Sequence, residues 1–366
     1  MKIMHYISTL GGGGAELQLA HLCEGLVHRG WSVHVGFTSG GLFRKRLEDS
    51  GVTLHPISSS GNFDPRILTQ LLRITCEVKP DLVQTWLRQM DILGGIAAFL
   101  TGTPQIVTER TSGFGYAGRG WRYRTRLAIG ARAAAVVSNS QGGLNYWSEN
   151  ARPRRNYLIR NGLSPELSSA GRNRHHADSG EELIVSAGRF SPEKNVLLLA
   201  EALLQVLKDR PNARAIMFGE GILKEEVHKM RGLSLAGARL SIRPFTAELP
   251  VWLTAASVFV SASLYEGHPN AVLEAAAAKC PLVLSDIEQH REIMDENSAT
   301  FSGNQAASLA KAIEFVLCNP EVAVKKSEQA YLQVQDCSVE KMVQGYVKVY
   351  EEILQSHNKA GGNGDL

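Results

Sequence analysis

Short β-branched runs alternate along this chain with longer stretches in which apolar residues return every three or four positions. The short runs predict strands over Lys2–Ser8, Ser32–Phe37, Thr53–Ile57, Leu82–Thr85, Gln105–Thr108, Ala135–Ser138 and Tyr157–Ile159. The same pattern resumes at Leu183–Ala187, Ala213–Phe218, Leu240–Arg243, Val258–Ser261 and Leu282–Ser285. Helical periodicity fills the intervals, as in Glu16–Arg29, Pro65–Lys79 and, last, Val339–Gln355. Strands alternating with helices of this length predict α/β layering around parallel sheets. The alternation breaks over Ser164–Glu182, where Ser, Gly, Pro, Arg and the pair His175–His176 predict an exposed linker. A chain of 366 residues also exceeds what one core usually serves. The expected organisation is therefore a first domain at 1–165, a linker at 166–182, a second domain at 183–336, a C-terminal helix at 337–356 and a disordered tail at 357–366.

Charge changes this picture more than composition does. The net charge of +3 conceals two unlike halves: residues 1–165 carry 19 Lys/Arg against 10 Asp/Glu, and the remainder 20 against 26. Basic residues gather at Arg119, Arg122, Arg124, Arg126 and Arg132, interleaved with Tyr116, Trp121 and Tyr123, and again at Arg152, Arg154 and Arg155. Two readings stand: a solvated helix face with a loop, or a surface that meets anionic lipid headgroups or a lipid-linked phosphate. Nucleic acid is not expected as a partner, given the near-neutral total. The longest apolar stretch, Ile92–Leu100, is too short and glycine-broken to span a bilayer. The N-terminus reads as a first strand rather than a signal peptide. Five scattered cysteines without a Cys-x-x-Cys pair suit a reducing compartment, so the expected location is the cytoplasm, with peripheral contact on the inner face of the membrane under the second reading. No metal-ligand spacing is visible, and no Asp-x-Asp pattern, so no metal and no cofactor is expected.

The chemistry concentrates in two segments of the second half. Glu266-Gly-His-Pro-Asn-Ala-Val-Leu-Glu274 sets two carboxylates eight positions apart across a loop-to-helix junction. Pro269 suits a first helical turn, and the backbone N–H groups of Asn270, Ala271 and Val272 would then stand free at a positive helix end, a ready anion site. Gly188-Arg-Phe-Ser-Pro-Glu-Lys-Asn195 adds Arg189 and Lys194, common partners of phosphate. A diphosphate flanked by sugars fits this set, although glutamates at such spacing also arise on solvated helix faces. Near the N-terminus, Gly11-Gly-Gly-Gly-Ala-Glu16 links a strand to a helix. A dinucleotide fingerprint needs a third glycine where this chain has Glu16 or Leu17, so what remains is a loop whose backbone can approach a phosphate or sugar closely.

In this order and at this separation, the segments resemble glycosyltransferase family 4 and its GT-B relatives. The likeness continues through Ala275–Asp286 and Arg291–Ile293, reaches back to the glycine loop, and is sharpest from Leu183 to Ile293. The resemblance implies a GT-B fold: α/β, two Rossmann-like domains facing across a cleft, with the last helix crossing back to the first domain. It implies retaining, metal-independent transfer of a sugar from a nucleoside-diphosphate donor, most often a UDP-sugar, to a glycan or lipid-linked acceptor. Under it Arg189 and Lys194 hold the diphosphate, Glu274 accepts from ribose hydroxyls, and Glu266 faces the donor sugar. Gly13, Gly14, Asn270, Ala271 and Val272 border the donor, and Gly12 and Glu16 the acceptor. One departure stands out. Many relatives carry a histidine at the end of the strand that here runs into Thr108-Glu109-Arg110, so Glu109 or Arg110 takes its place on the acceptor side. Alternatives kept open are a GT-B epimerase or hydrolase of UDP-sugars, which would need no acceptor, and a non-catalytic sugar-nucleotide-binding relative.

Overall fold

The computed structural model describes residues 1–62, 64–111, 120–164 and 181–361, with side chains up to residue 357. The chain divides into two units, Met1–Gly162 with Ser338–Leu366, and Leu163–Cys337. Residues 166–180 of the expected linker, including His175 and His176, lie outside the described residues, as do Tyr116 and Arg119.

Unit 1 is built on a seven-stranded parallel sheet in the order β3-β2-β1-β4-β5-β6-β7. Its strands are β1 (Lys2–Thr9), β2 (Ser32–Ser39), β3 (Thr53–Pro56), β4 (Leu82–Trp86), β5 (Gln105–Glu109), β6 (Ala135–Ser138) and β7 (Asn156–Leu158). The intervening helices are α1 (Gly14–Val27), α2 (Phe43–Asp49), α3 (Arg66–Val78), α4 (Leu87–Leu100), α5 (Trp121–Arg132) and α6 (Gln141–Asn150). The central strand β1 alternates its side chains between two cores. Ile3 and Ile7 join Leu19, Leu22 and Trp86 on one face, while Met4 and Tyr6 join Ile67, Leu71 and Met90 on the other.

The C-terminal helix α14 (Val339–Gly361) completes the first of these cores with Val343, Tyr346 and Tyr350. A Cβ on Gly25 of α1 would stand 2.6 Å from Val343 Cγ2, so glycine there lets the two helices close on each other. The Tyr350 hydroxyl donates to Gln84 Oε1 inside the sheet. Helix α14 runs on to Gly361, into the segment expected as a disordered tail, and Arg155 Nη2 donates to Ser356 Oγ at 2.8 Å just before that segment.

Unit 2 repeats the plan with six parallel strands in the order β10-β9-β8-β11-β12-β13. They are β8 (Glu182–Ala187), β9 (Ala213–Phe218), β10 (Leu240–Arg243), β11 (Val258–Ser261), β12 (Leu282–Ser285) and β13 (Thr300–Ser302). The last was not expected: three residues, two of them polar, carry too little periodicity to announce a strand. The helices are α7 (Val196–Asp209), α8 (Lys224–Leu233), α9 (Leu249–Ala255), α10 (Asn270–Ala277), α11 (Glu288–Arg291), α12 (Ala306–Cys318) and α13 (Pro320–Val334). In both units the strand order reverses beside the first strand, between β1 and β4 and between β8 and β11. Open α/β sheets bind ligands at the carboxyl ends of strands flanking such a reversal.

Candidate active site at the reversal of the second sheet

Two loops leave the carboxyl ends of the reversal strands and meet. After β8 the chain turns through Gly188, Arg189 and Phe190, a path fixed by close backbone approach. A Cβ on Gly219 would strike the Gly188 carbonyl, and one on Gly221 the Phe190 carbonyl; both glycines hold positive φ, 159° and 155°. The Phe190 N–H donates to the Glu220 carbonyl at 2.8 Å. A 3-10 turn (Pro192–Lys194) and a left-handed Asn195 (φ 51°) then lead into α7. The second loop runs from β11 to α10, and the Leu264 N–H donates to the Glu193 carbonyl at 2.8 Å, stitching the two together. A pocket opens at this junction, lined among others by Gly188, Phe190, Lys194, Ser263, Glu266 and Asn270.

Glu266 lies at the pocket wall, 9% exposed. Its Oε1 accepts from Lys194 Nζ and from Ser263 Oγ, the latter at 2.6 Å. Its Oε2 has no hydrogen bond among the described residues. Burial pushes the carboxyl upward, but the charge of Lys194 and the bonds to Lys194 and Ser263 outweigh it, so Glu266 is held below its ordinary value and stays ionised. The backbone behind it is fixed as well: the Glu266 N–H donates to Gln289 Oε1 at 3.3 Å, and Ser285 Oγ to the Ser263 carbonyl at 2.6 Å. Glu274, one turn inside α10, is the opposite case. Its half-buried carboxylate has no partner among the described residues, and desolvation raises it to about 7. Arg189 keeps 61% of its side chain exposed, with Glu193 the nearest carboxylate at 3.9 Å.

Thus Arg189, Lys194, Glu266, Asn270, Ala271, Val272 and Glu274 all fall on one sheet edge of unit 2. One detail differs from expectation. Pro269 occupies the N-cap rather than the first turn (ψ 104°), and the Val272 N–H donates to its carbonyl at 3.2 Å, so Val272 offers no free donor to an anion.

The unit 1 residues divide. Gly12, Gly13 and Gly14 form the β1–α1 turn, with Gly13 the N-cap of α1. A Cβ on Gly13 would strike the Glu16 carboxylate, which folds back over it. Arg110 donates from Nη2 to Asn161 Oδ1 at 2.7 Å and stacks over Trp86, its guanidinium 5.4 Å from the ring centroid. Glu109 does not serve an acceptor. It is 1% exposed, its Oε1 accepts from the N–H groups of Arg110 (2.9 Å) and Thr111 (3.0 Å), and its Oε2 from Arg126 Nη1 (2.7 Å) and Trp147 Nε1 (2.8 Å). Four donors exhaust the carboxylate's capacity. Arg126 likewise leaves the expected basic surface, since it is buried between Glu109 and Asp91. Arg155 joins Glu352 and Ser356 of α14. Sequence reasoning missed Ser263, three positions before Glu266 in the same loop, and Gln289 and His290, which reach Glu266 or its neighbours from α11.

Two family models match the chain: Glycosyl transferases group 1 over residues 169–333, and Glycosyltransferase Family 4 over residues 12–167. The chain belongs to the family 4 glycosyltransferases. Relatives within it are distant. An Escherichia coli UDP-Gal:alpha-D-GlcNAc-diphosphoundecaprenol alpha-1,3-galactosyltransferase is 26% identical over 61% of this chain and 62% of its own length. The lipopolysaccharide core biosynthesis glycosyltransferase LpsE of Rhizobium meliloti (strain 1021) is 22% identical over 90% of this chain and 93% of its own. The chain spans 46% to 62% of the length of three of the curated relatives it matches. Among solved structures, Anabaena Alr3699/HepE in complex with UDP and glucose superposes with a TM-score of 0.84 at 19% identity, covering 96% of this chain and 100% of that one. That likeness gives the family fold, GT-B, with two Rossmann-like domains.

Proposed function

We propose that this glycosyltransferase moves a sugar from a nucleoside-diphosphate donor, a UDP-sugar, to a glycan or lipid-linked acceptor in the synthesis of a cell-surface polysaccharide, lipopolysaccharide or glycolipid, with retention at the anomeric carbon. The observation that carries the donor reading is the shared sheet edge of Arg189, Lys194, Glu266 and Glu274. Breaking the bond between sugar and phosphate leaves negative charge on phosphate oxygen, and fixed cations at Arg189 and Lys194 stabilise it where it develops. The α10 N-terminus adds its partial positive charge. Ionised Glu266 faces the sugar with Oε2 available to a hydroxyl, and supports positive charge at the anomeric centre. Glu274, once ionised, can accept from both ribose hydroxyls. No resident metal or cofactor is invoked, because these residues supply the charge. The UDP-bound relative supports uracil as the base.

Gly12, Glu16 and Arg110 of unit 1 are assigned to the acceptor. Cytoplasmic residence with peripheral contact to anionic lipid is part of the same proposal. It is supported by Trp121, 68% exposed beside Arg122, while no described helix is long and apolar enough to cross a membrane.

Thermal unfolding with UDP, GDP and ADP tests the donor. A nucleotide at a hundred times its Kd adds about 2.7 kcal/mol of apparent stability. UDP is expected to shift the transition, and Arg189→Ala with Lys194→Ala to remove the shift, since each charge-assisted contact is worth about 1.5–3 kcal/mol. No shift with any of the three would overturn the reading. Turnover of UDP-sugar that ignores added acceptor would replace transfer by epimerisation or hydrolysis.

A further inference from the structure

His290 lies behind Glu266, fully buried in α11, and nothing in the chemistry above uses it. Its Nδ1 faces two oxygens of Ser285, the carbonyl at 2.8 Å and Oγ at 3.2 Å. Ser285 Oγ already donates its proton to the Ser263 carbonyl, so both oxygens can only accept, and Nδ1 carries a proton in every state. Nε2 is then the atom that gains or loses one, and it points to Ser261 Oγ at 3.5 Å. Ser261 Oγ stands 3.4 Å from Ser263 Oγ, which donates to Glu266 Oε1 at 2.6 Å.

Counting protons gives this chain a direction. Ser263 spends its proton on Glu266, so it can only accept from Ser261. With neutral His290, Ser261 has one proton for two acceptors, Nε2 and Ser263, and one link stays open. With Nε2 protonated, every link closes: His290 to Ser261, Ser261 to Ser263, Ser263 to Glu266. We propose that His290, with Nε2 protonated, is a positioning residue for Glu266, acting through the hydroxyls of Ser261 and Ser263 to align the carboxylate and leave Oε2 to the substrate. The charged groups facing the ring are Glu266 and Lys194. Burial pulls the imidazole below its ordinary value; the charge of Glu266 and the bond to the Ser285 carbonyl oppose that pull, and Lys194 adds to it. The inference rests on the donor-sugar role proposed for Glu266.

Turnover of the sugar nucleotide is measured at acid pH, where Nε2 is protonated, in Ser261→Ala, His290→Asn, the double variant and His290→Gln. An asparagine amide keeps the Nδ1 bond to Ser285 and loses the Nε2 arm, whereas glutamine reaches the Nε2 position. Ser261→Ala and His290→Asn are each expected to lower kcat about tenfold with the donor KM unchanged, corresponding to one lost link. The double variant is expected to lose no more than either single one, because both break one chain. His290→Gln restores most of the kcat. Losses that multiply, or wild-type kcat in Ser261→Ala, would overturn the relay. Imidazole ¹⁵N spectra supply a readout without turnover: Nδ1 stays protonated throughout, and Ser261→Ala, which leaves the charge of Glu266 in place, moves the Nε2 titration to lower pH. An unmoved titration also overturns it. If no sugar nucleotide is turned over, the donor reading fails, and the spectra still decide the relay.

Discussion

Glu109 of unit 1 and Glu266 of unit 2 are both buried glutamates near the carboxyl edge of a parallel sheet, and both meet a cation. Glu109 has four donors for two oxygens, and its cation, Arg126, is shared with a second buried carboxylate, Asp91 (2.8 Å). Among the described residues Glu266 has its side-chain donors on Oε1 alone, and its cation, Lys194, borders a pocket. The difference separates scaffold from site. A carboxylate whose lone pairs are all engaged rigidifies the interior. One held by half and left open by half is poised for a ligand that brings its own donors.

The largest effect expected from this contrast is on stability. Arg126→Met leaves Asp91 and Glu109 buried without their cation, and burial already lifts Asp91 to about 6 against the pull of Arg126. Removing one partner of a buried ion pair costs about 3–5 kcal/mol, to be read from urea unfolding. An unchanged midpoint would mean that the pairing is not structural. Glu266→Gln should do the reverse. The amide keeps the shape and can still accept from Ser263, so the urea midpoint stays in place, while kcat falls about a hundredfold, the scale of losing a preorganised charge at the reacting centre. Full turnover in this variant would remove Glu266 from the mechanism and end the contrast.

Much of the fold was legible because parallel strands buried on both faces write themselves as apolar runs. Val258–Ser261 and Leu282–Ser285 fall where the pattern places them. The two segments that meet at the pocket were legible too, because each is a short run whose own residues are near neighbours in sequence. What stayed hidden is long-range. Glu109 looked like a free residue at a strand end because Arg126 and Trp147, 17 and 38 positions away, carry no local sign of meeting it. Arg126 was read as surface for the same reason, as a member of an arginine run whose neighbours do face water. Gln289 and His290 reach Glu266 and Ser261 from a short helix that periodicity cannot place against their loop. The Pro269 cap was misplaced by one position, and that single step costs Val272 its free N–H.

The smallest effect is the one that pH can isolate. Glu274 shares α10 with the pocket but, unlike Glu266, has no cation among the described residues to hold its charge, and desolvation lifts it from an ordinary glutamate value to about 7. Two slopes of opposite sign follow. The folded state holds this proton up to about pH 7 while the unfolded chain releases it near the ordinary value, so between those limits folding binds the proton and this group's contribution to stability falls as pH rises. Donor binding runs the other way. If the ribose hydroxyls donate to the ionised carboxylate, binding expels the proton, and affinity for the intact sugar nucleotide improves by up to tenfold per pH unit below about 7, about 1.4 kcal/mol, then levels off above it. Calorimetry in buffers of different ionisation enthalpy reads the released proton directly. Glu274→Gln should bind more weakly and lose this slope while keeping the double dependence on Arg189 and Lys194. A variant that retains the slope would assign the proton to another group, and the contrast between a charged Glu266 and a ligand-charged Glu274 would not hold.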